Sequence, residues 1–363
     1  MVEIAVSDGV EHLIERADVL VAEGHVREAI DVLREANRRE RSPAIDRALV
    51  RIRRDGCSSL PQPVPPVGWQ PVVATVGDGE VFEIGPDELN LDSFRTGLAR
   101  SGCVLVRGLV PPERVATMVA GIDAALGAYD ATQSEEAVPA TDWFTPFPMP
   151  DRISPAGAGG AVMTTSGGPP ASNIPERAHR KFVRAAGGLW TVDSPPMLFE
   201  LLELVEDLGV GSLMTEYFGE RPFLSANKCT LRRVPLDEVT GGWHQDGAFL
   251  GDDVRAFNFW VALTACGRDA PGLDVVPKRF DQVLKSGEDA FFEWSLSDAA
   301  VHLAAAGTPI VRADFEAGDA LLFDHRLVHR TATSPEMTRE RHALESWFFA
   351  PSAFPASQLP IIY

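Results

Sequence analysis

The chain has 363 residues, 52 acidic against 33 basic, for a formal net charge of −19 at pH 7. That balance disfavours a nucleic-acid or anionic-membrane surface, and a composition of 45% hydrophobic and 23% charged residues is that of a folded chain rather than a disordered one. Cys57, Cys103, Cys229 and Cys266 are widely spaced and form no CxxC pair, so neither a disulfide framework nor a zinc module is suggested, and neither a leader pattern nor an apolar run of membrane length is visible, so a cytoplasmic protein is expected.

Residues 9–54 have helical periodicity, with Leu13, Ala17, Leu20 and Val21 on one stripe and Ala29, Ile30, Leu33 and Ala36 on a second, Gly24 lying between them. The run ADVLVAEGHVREAIDVLREANRR resembles one tetratricopeptide-type helical hairpin. A solenoid needs about three repeats to bury its faces, so the segment 1–57 is expected to cap the main domain or to join two copies, with a protein partner as the alternative. Residues 58–71, SSLPQPVPPVGWQP, hold five prolines and can continue neither a helix nor a central strand. They are the expected linker to a main domain at 72–363.

Beyond the linker the pattern predicts a helix, a short apolar strand at Cys103 to Val106, and a helix opened by Pro111-Pro112. The Gly/Pro/Ser-rich stretch 154–175 has no periodicity and is expected to be a loop, with a substrate lid as its role. Residues 193–218 are amphipathic and helical. After residue 220 the texture changes to short alternating segments separated by turns, which indicates a sandwich or barrel.

The chemistry concentrates in that last region. In GGWHQDGAFLGDD, strand alternation places His244 and Asp246 on one face with Gln245 on the other, and Gly241, Gly242 and Gly247 are expected to let the backbone pass close to a metal. A chain with 8 His and 52 acidic residues supplies such a pair by chance, so the remaining ligand must come from context. Among the downstream histidines, His302 falls in an Ala-rich helical stretch and is expected to be structural, and His342 faces away from Arg341 by alternation. Of His325 and His329 in FDHRLVHRT, His329 is favoured, because its spacing puts it and Arg341 on neighbouring antiparallel strands; His325 becomes a surface or supporting residue. Two imidazoles and a carboxylate on one side of a metal leave the other positions open, the arrangement of non-haem Fe(II) oxygenases. Arg341, rather than Arg339 in the charged turn MTRER, is expected to hold the distal carboxylate of 2-oxoglutarate. Asn227 and Thr331 are further cosubstrate candidates. Trp243, Asn258 and Trp260 are candidate substrate contacts.

The stretches FRTGLARSGCVLVRGLVPPERV, GGWHQDGAF, GDALLFDHRLVHRT and RHALESWFF, in this order, resemble the phytanoyl-CoA dioxygenase family over residues 90–350. The resemblance implies an α+β chain with a mainly β core, a double-stranded β-helix or cupin-like jelly roll with flanking helices. It implies His244, Asp246 and His329 as iron ligands, Arg341 as the 2-oxoglutarate anchor, O2 as second cosubstrate and a small-molecule substrate. Because Asp246 is present, where halogenating members carry a small residue, hydroxylation is the expected outcome. The chain departs from the family in having Lys278-Arg279-Phe280 after GLDVVP and Ala343 where a Ser is common. Two rival readings are a metal-dependent jelly-roll enzyme without 2-oxoglutarate, and a silent oxygenase-fold scaffold or sensor that binds a partner through the N-terminal helices.

Overall fold

Short apolar segments that alternate between two facing sheets organise the C-terminal two thirds of the molecule. The computed structural model describes residues 3–132, 141–149, 152–153, 174–236, 242–286, 290 and 294–363. Its helices are α1 (Glu3–Ala22), α2 (Val26–Arg39), α3 (Pro43–Asp55), α4 (Leu91–Ser101), α5 (Pro112–Thr132), α6 (Glu176–Ala185), α7 (Pro195–Asp207), α8 (Val210–Phe218), α9 (Gly247–Leu250) and α10 (Asp298–Ala305). The strands of the first half are β1 (Phe82–Ile84), β2 (Cys103–Val106), β3 (Arg152–Ile153), β4 (Ile174–Pro175), β5 (Gly188–Trp190), β6 (Phe223–Ser225), β7 (Thr230–Val234) and β8 (Trp243–His244). Those of the second half are β9 (Ala256–Ala262), β10 (Gly272–Val275), β11 (Ser295–Leu296), β12 (Val311–Ala313), β13 (Ala320–Phe323), β14 (His329–Ala332), β15 (Arg341–Phe349) and β16 (Pro360–Ile362).

The larger sheet runs β1-β2-β13-β9-β15-β6-β16, with β7 also paired to β15 and β5 paired to β7; the smaller runs β11-β8-β14-β10-β12. In chain order β7 is in the large sheet, β8 in the small, β9 large, β10 and β12 small, β13 large, β14 small and β15 large. That alternation, with antiparallel pairing throughout these strands, is the double-stranded β-helix. The Phe323 ring of the large sheet lies 5.1 Å from the His329 ring of the small one, so residues in register with these two face the interior.

Local chemistry sets the element ends. Asn90 caps α4 by accepting from Ser93 N, and Gly102 closes it at φ 75, a conformation that favours glycine. Prolines open α3 and α7, where a missing N–H costs nothing. The expected helix at 193–218 is two helices, because Gly209 at φ 70 breaks it.

The N-terminal segment is three helices rather than one hairpin. Its apolar stripe, including Ala17, Val26, Ala29, Ile30, Leu33, Ile45, Leu49 and Ile52, is buried together with Phe199 of α7 and Ile362 of β16. Arg34 and Arg38 both pair with buried Glu203, and Arg53 Nη1 donates to Ile362 O at 2.8 Å. The contacts show the segment packed on the main domain, with this apolar stripe covered from within the chain. In 58–71, the Trp69 indole donates to Tyr217 O and its ring lies under Arg255. The proposed lid, 154–175, lies outside the described residues apart from its last two positions, Ile174 and Pro175. No helix among the described residues is long and apolar enough to cross a membrane.

Candidate metal centre

β8 and β14 are neighbours whose single registered pair is His244 with His329. Their imidazole centroids are 4.4 Å apart. Asp246 joins them as the N-cap residue of α9, with helical φ −60 and ψ −24, so it reaches the histidines at the start of a helical turn and not through the strand alternation expected from the sequence. One ligand atom from each of the three can be chosen so that all lie within 4.8 Å of one another.

The surroundings prepare these groups for a cation. His244 Nδ1 meets Gly242 O at 3.0 Å and His329 Nδ1 meets Leu327 O at 3.1 Å. A carbonyl takes only a donated hydrogen, which fixes the proton on Nδ1 and leaves Nε2 as the ligand atom. Burial, with His329 beside it, pushes His244 down to about 4, so its ring is neutral near pH 7. Burial alone would raise Asp246, but Lys228, His329 and His244 outweigh it and hold the carboxyl below its usual range. Both Asp246 oxygens are buried without a partner of good hydrogen-bond geometry, although Lys228 Nζ forms an ion pair with Oδ1 at 3.0 Å. Two oriented imidazoles and an ionised, under-coordinated carboxylate fit Fe(II).

Gln245 turns away from the ligand group. Its amide donates to Arg326 O at 2.6 Å and its carbonyl accepts from Leu284 N at 2.6 Å, tying the ligand turn to two later loops. Gly247 is needed for space of another kind than expected: a Cβ there would strike Val283 and His325, not the metal. His325 is buried, against the surface role allowed for it, with Nε2 3.2 Å from Asp252 O. His302 is an exposed residue of α10 and holds no core together. His342 pairs outward with Asp123.

Arg341 is fully buried on the interior face of β15. Its Nη1 donates to Pro271 O and Gly272 O at 3.1 and 2.9 Å, and its guanidinium carbon lies 5.5 Å from the Trp260 ring centroid. Val275 is the registered partner of His329 on β10. Gly272 is three strand positions further on, so the guanidinium stands about 10 Å along the sheet from the imidazole pair at about 3.3 Å per residue. Thr331 shares the inward face with His329, two residues on. Asn258 is paired with Phe323 and Trp347, and Trp260 with Leu321 and Glu345, so both side chains also line the interior. Trp243 does not: it faces a separate cluster with Val276, Leu296 and Val301, and its indole donates to Asp298. Asn227 Oδ1 accepts from Leu359 N at 2.9 Å, which binds it to the chain's C-terminal end. Arg339 lies exposed near Asp269. The departing Arg279 forms a buried ion pair with Asp324 at 2.6 Å.

Sequence reasoning missed Lys228, Glu345 and an aromatic wall. Phe249 and Trp294 meet edge to face at 5.9 Å, and Trp294 meets His244 edge to face at 5.4 Å. Glu345 shares a face with Arg341 by alternation, and an acid pointing into a barrel demands a cation; that was the available signal. His244, Thr331, Trp294 and Lys228 are the partly exposed members of the group, which marks the side on which the site opens.

No curated protein matches the chain. Among solved structures, EctD from S. alaskensis with 2-oxoglutarate and 5-hydroxyectoine is similar at 15% identity, over 80% of this chain and 84% of that one, with a TM-score of 0.48. AviO1 from Streptomyces viridochromogenes Tue57 is similar at 17% identity, over 74% and 98%, with a TM-score of 0.42. These are distant likenesses. The phytanoyl-CoA dioxygenase family matches residues 221–340, a segment that ends one position before Arg341. Residues 221–340, which carry the His-Asp-His cluster, are thus similar to the phytanoyl-CoA dioxygenase family.

Proposed function

We propose that the chain is a dioxygenase that hydroxylates an unactivated C–H bond of a small-molecule, natural-product-type substrate. One observation carries the reading: His244, Asp246 and His329 converge as a compact ligand set with both imidazoles pre-oriented by backbone carbonyls. Bound Fe(II), with 2-oxoglutarate and O2, supplies the oxidising power and yields succinate and CO2.

The chain's own residues bind, orient and exclude water. Arg341 anchors the distal carboxylate of 2-oxoglutarate from a buried position, where a guanidinium recognises a carboxylate strongly. Thr331 lies between that anchor and His329 and offers a hydroxyl to the cosubstrate. Asn258 and Trp260 close the wall beneath it, while Phe249 and Trp294 form an apolar shelf against His244 on which the substrate's carbon skeleton rests. Asp246 occupies the position that a halide would need, which favours hydroxylation.

The test is anaerobic loading with Fe(II) and 2-oxoglutarate followed by O2 and a substrate panel. Succinate forming in step with a product 16 mass units heavier supports the reading; no succinate with any substrate overturns it. Arg341→Ala separates the rival without 2-oxoglutarate, because in a dioxygenase of this kind it loses the cosubstrate and retains the metal.

A further inference from the structure

Lys228 is a largely buried cation that binding iron and cosubstrate leaves without a task. It lies in the turn between β6 and β7, with Nζ 3.0 Å from Asp246 Oδ1, 3.3 Å from Glu345 Oε1 and 4.7 Å from the Phe249 ring centroid. The two oxygens of Asp246 thereby face different neighbours. Oδ1 meets Lys228, while Oδ2 lies 3.6 Å from His329 Nε2, on the ligand side. Behind the lysine, Glu345 is held by Arg232 at 2.8 Å and by the Thr230 hydroxyl at 3.2 Å. Four alternating charges thus run from the metal ligand into the large sheet. Removing ions from water can cost as much as such pairing returns, so a buried chain of charges is weak evidence of a role in fold stability.

We propose that Lys228 is a positioning residue of the metal centre, and that Glu345 sets its strength. By holding Oδ1, the ammonium presents only Oδ2 to the metal and keeps Asp246 from taking a second coordination position. It also draws charge from the carboxylate, making Asp246 a weaker donor. Glu345 competes for the same ammonium and moderates both effects. The inference rests on the metal-centre reading above.

Anaerobic titration of Fe(II) and 2-oxoglutarate, followed by the visible metal-to-ligand charge-transfer band, tests it without turnover. Lys228→Met makes Asp246 a stronger donor and the iron easier to oxidise, so the band moves to longer wavelength. Glu345→Gln leaves Lys228 wholly to Asp246 and moves it to shorter wavelength. Lys228→Arg, keeping a cation, stays near the wild-type position. The same titrations give the metal and cosubstrate dissociation constants, and circular dichroism reports folding. Bands of both charge-removing variants at the wild-type position overturn the proposal. So does a Lys228→Met that weakens 2-oxoglutarate binding with its band unmoved, which assigns the ammonium to the cosubstrate. If Lys228→Met does not fold, Glu345→Gln decides alone, and anything but a shift to shorter wavelength counts against the proposal. A wild type that shows no band at all defeats the metal-centre reading itself.

Discussion

Asp246 is ionised where water scarcely reaches, and every neighbour that keeps it so is also a neighbour of the ligand atoms. Removing either imidazole therefore removes the metal: His244→Ala and His329→Ala should lose tight Co(II) binding in calorimetry, whereas Trp243→Phe, on the opposite face, should keep it. Arg341→Met should raise the dissociation constant for 2-oxoglutarate by roughly tenfold to a hundredfold, the loss of one charged hydrogen-bonded contact, with Co(II) affinity unchanged. At this scale the two histidines, the acid and the arginine were picked out by residue type and order, but the geometry expected of them does not hold: Asp246 arrives through a helical turn, and His329 and Arg341 lie on strands of different sheets rather than on neighbouring ones. Lys228 was not picked out, because it sits in a turn where alternation fails, and the neighbouring Asn227 took its place in the reading. The helical geometry of Asp246 was hidden for the same reason: His-x-Asp reads equally well as a strand or as a strand running into a helical turn.

At the scale of elements, α1 to α3 show what local periodicity can and cannot reveal. The apolar stripes of α1 and α2 were plain in the sequence, but the third helix and the partners that cover the stripes, Phe199 on α7 and Ile362 on β16, were not, because the partners lie far along the chain. The same distance hid β16 and β5, short segments whose strand character comes only from the neighbours they pair with. Removing residues 1–57 would expose that cluster and leave buried Glu203 without Arg34 and Arg38. The truncated chain should unfold at a lower temperature, or aggregate, rather than behave as a trimmed enzyme. Leu33→Ala, a milder probe at a fully buried site, should cost about 2–5 kcal/mol in denaturant melts. An unchanged melting temperature in both variants would show that the segment is an independent appendage.

Across the whole molecule, the buried ionisable groups set how stability responds to acid. His244 and His325 are lowered by burial. Unfolding exposes them to their ordinary value of about 6.5, so the unfolded chain binds the extra protons and stability falls as pH drops below that value. Asp246, Asp324 and Glu345 are lowered as well, in each case because cations outweigh burial; their contribution is present above about pH 4 and is lost as pH falls further. Thermal melts of metal-free protein should therefore decline from pH 7 toward 4 and more steeply below. Saturating Co(II) should raise the melting temperature at pH 7, and by less as pH falls, because protons compete with the cation for His244. A melt independent of pH between 4 and 7 would contradict this account.

One feature of the small sheet reaches further. β8 is two residues long, joined to β14 by one registered pair and to β11 by two. A cation bound by His244 and His329 would rivet the sheet at the very pair that aligns β8 with β14, and so would hold a seam as well as serve chemistry. Amide exchange at Trp243, His244, Ser295 and Leu296 should slow on Co(II) loading far more than in β9 or β15, whose ladders are long. Loss of the cation would then be felt by this protein as a loosened seam beside the entrance, a mark that limited proteolysis of metal-free and Co(II)-loaded protein can read.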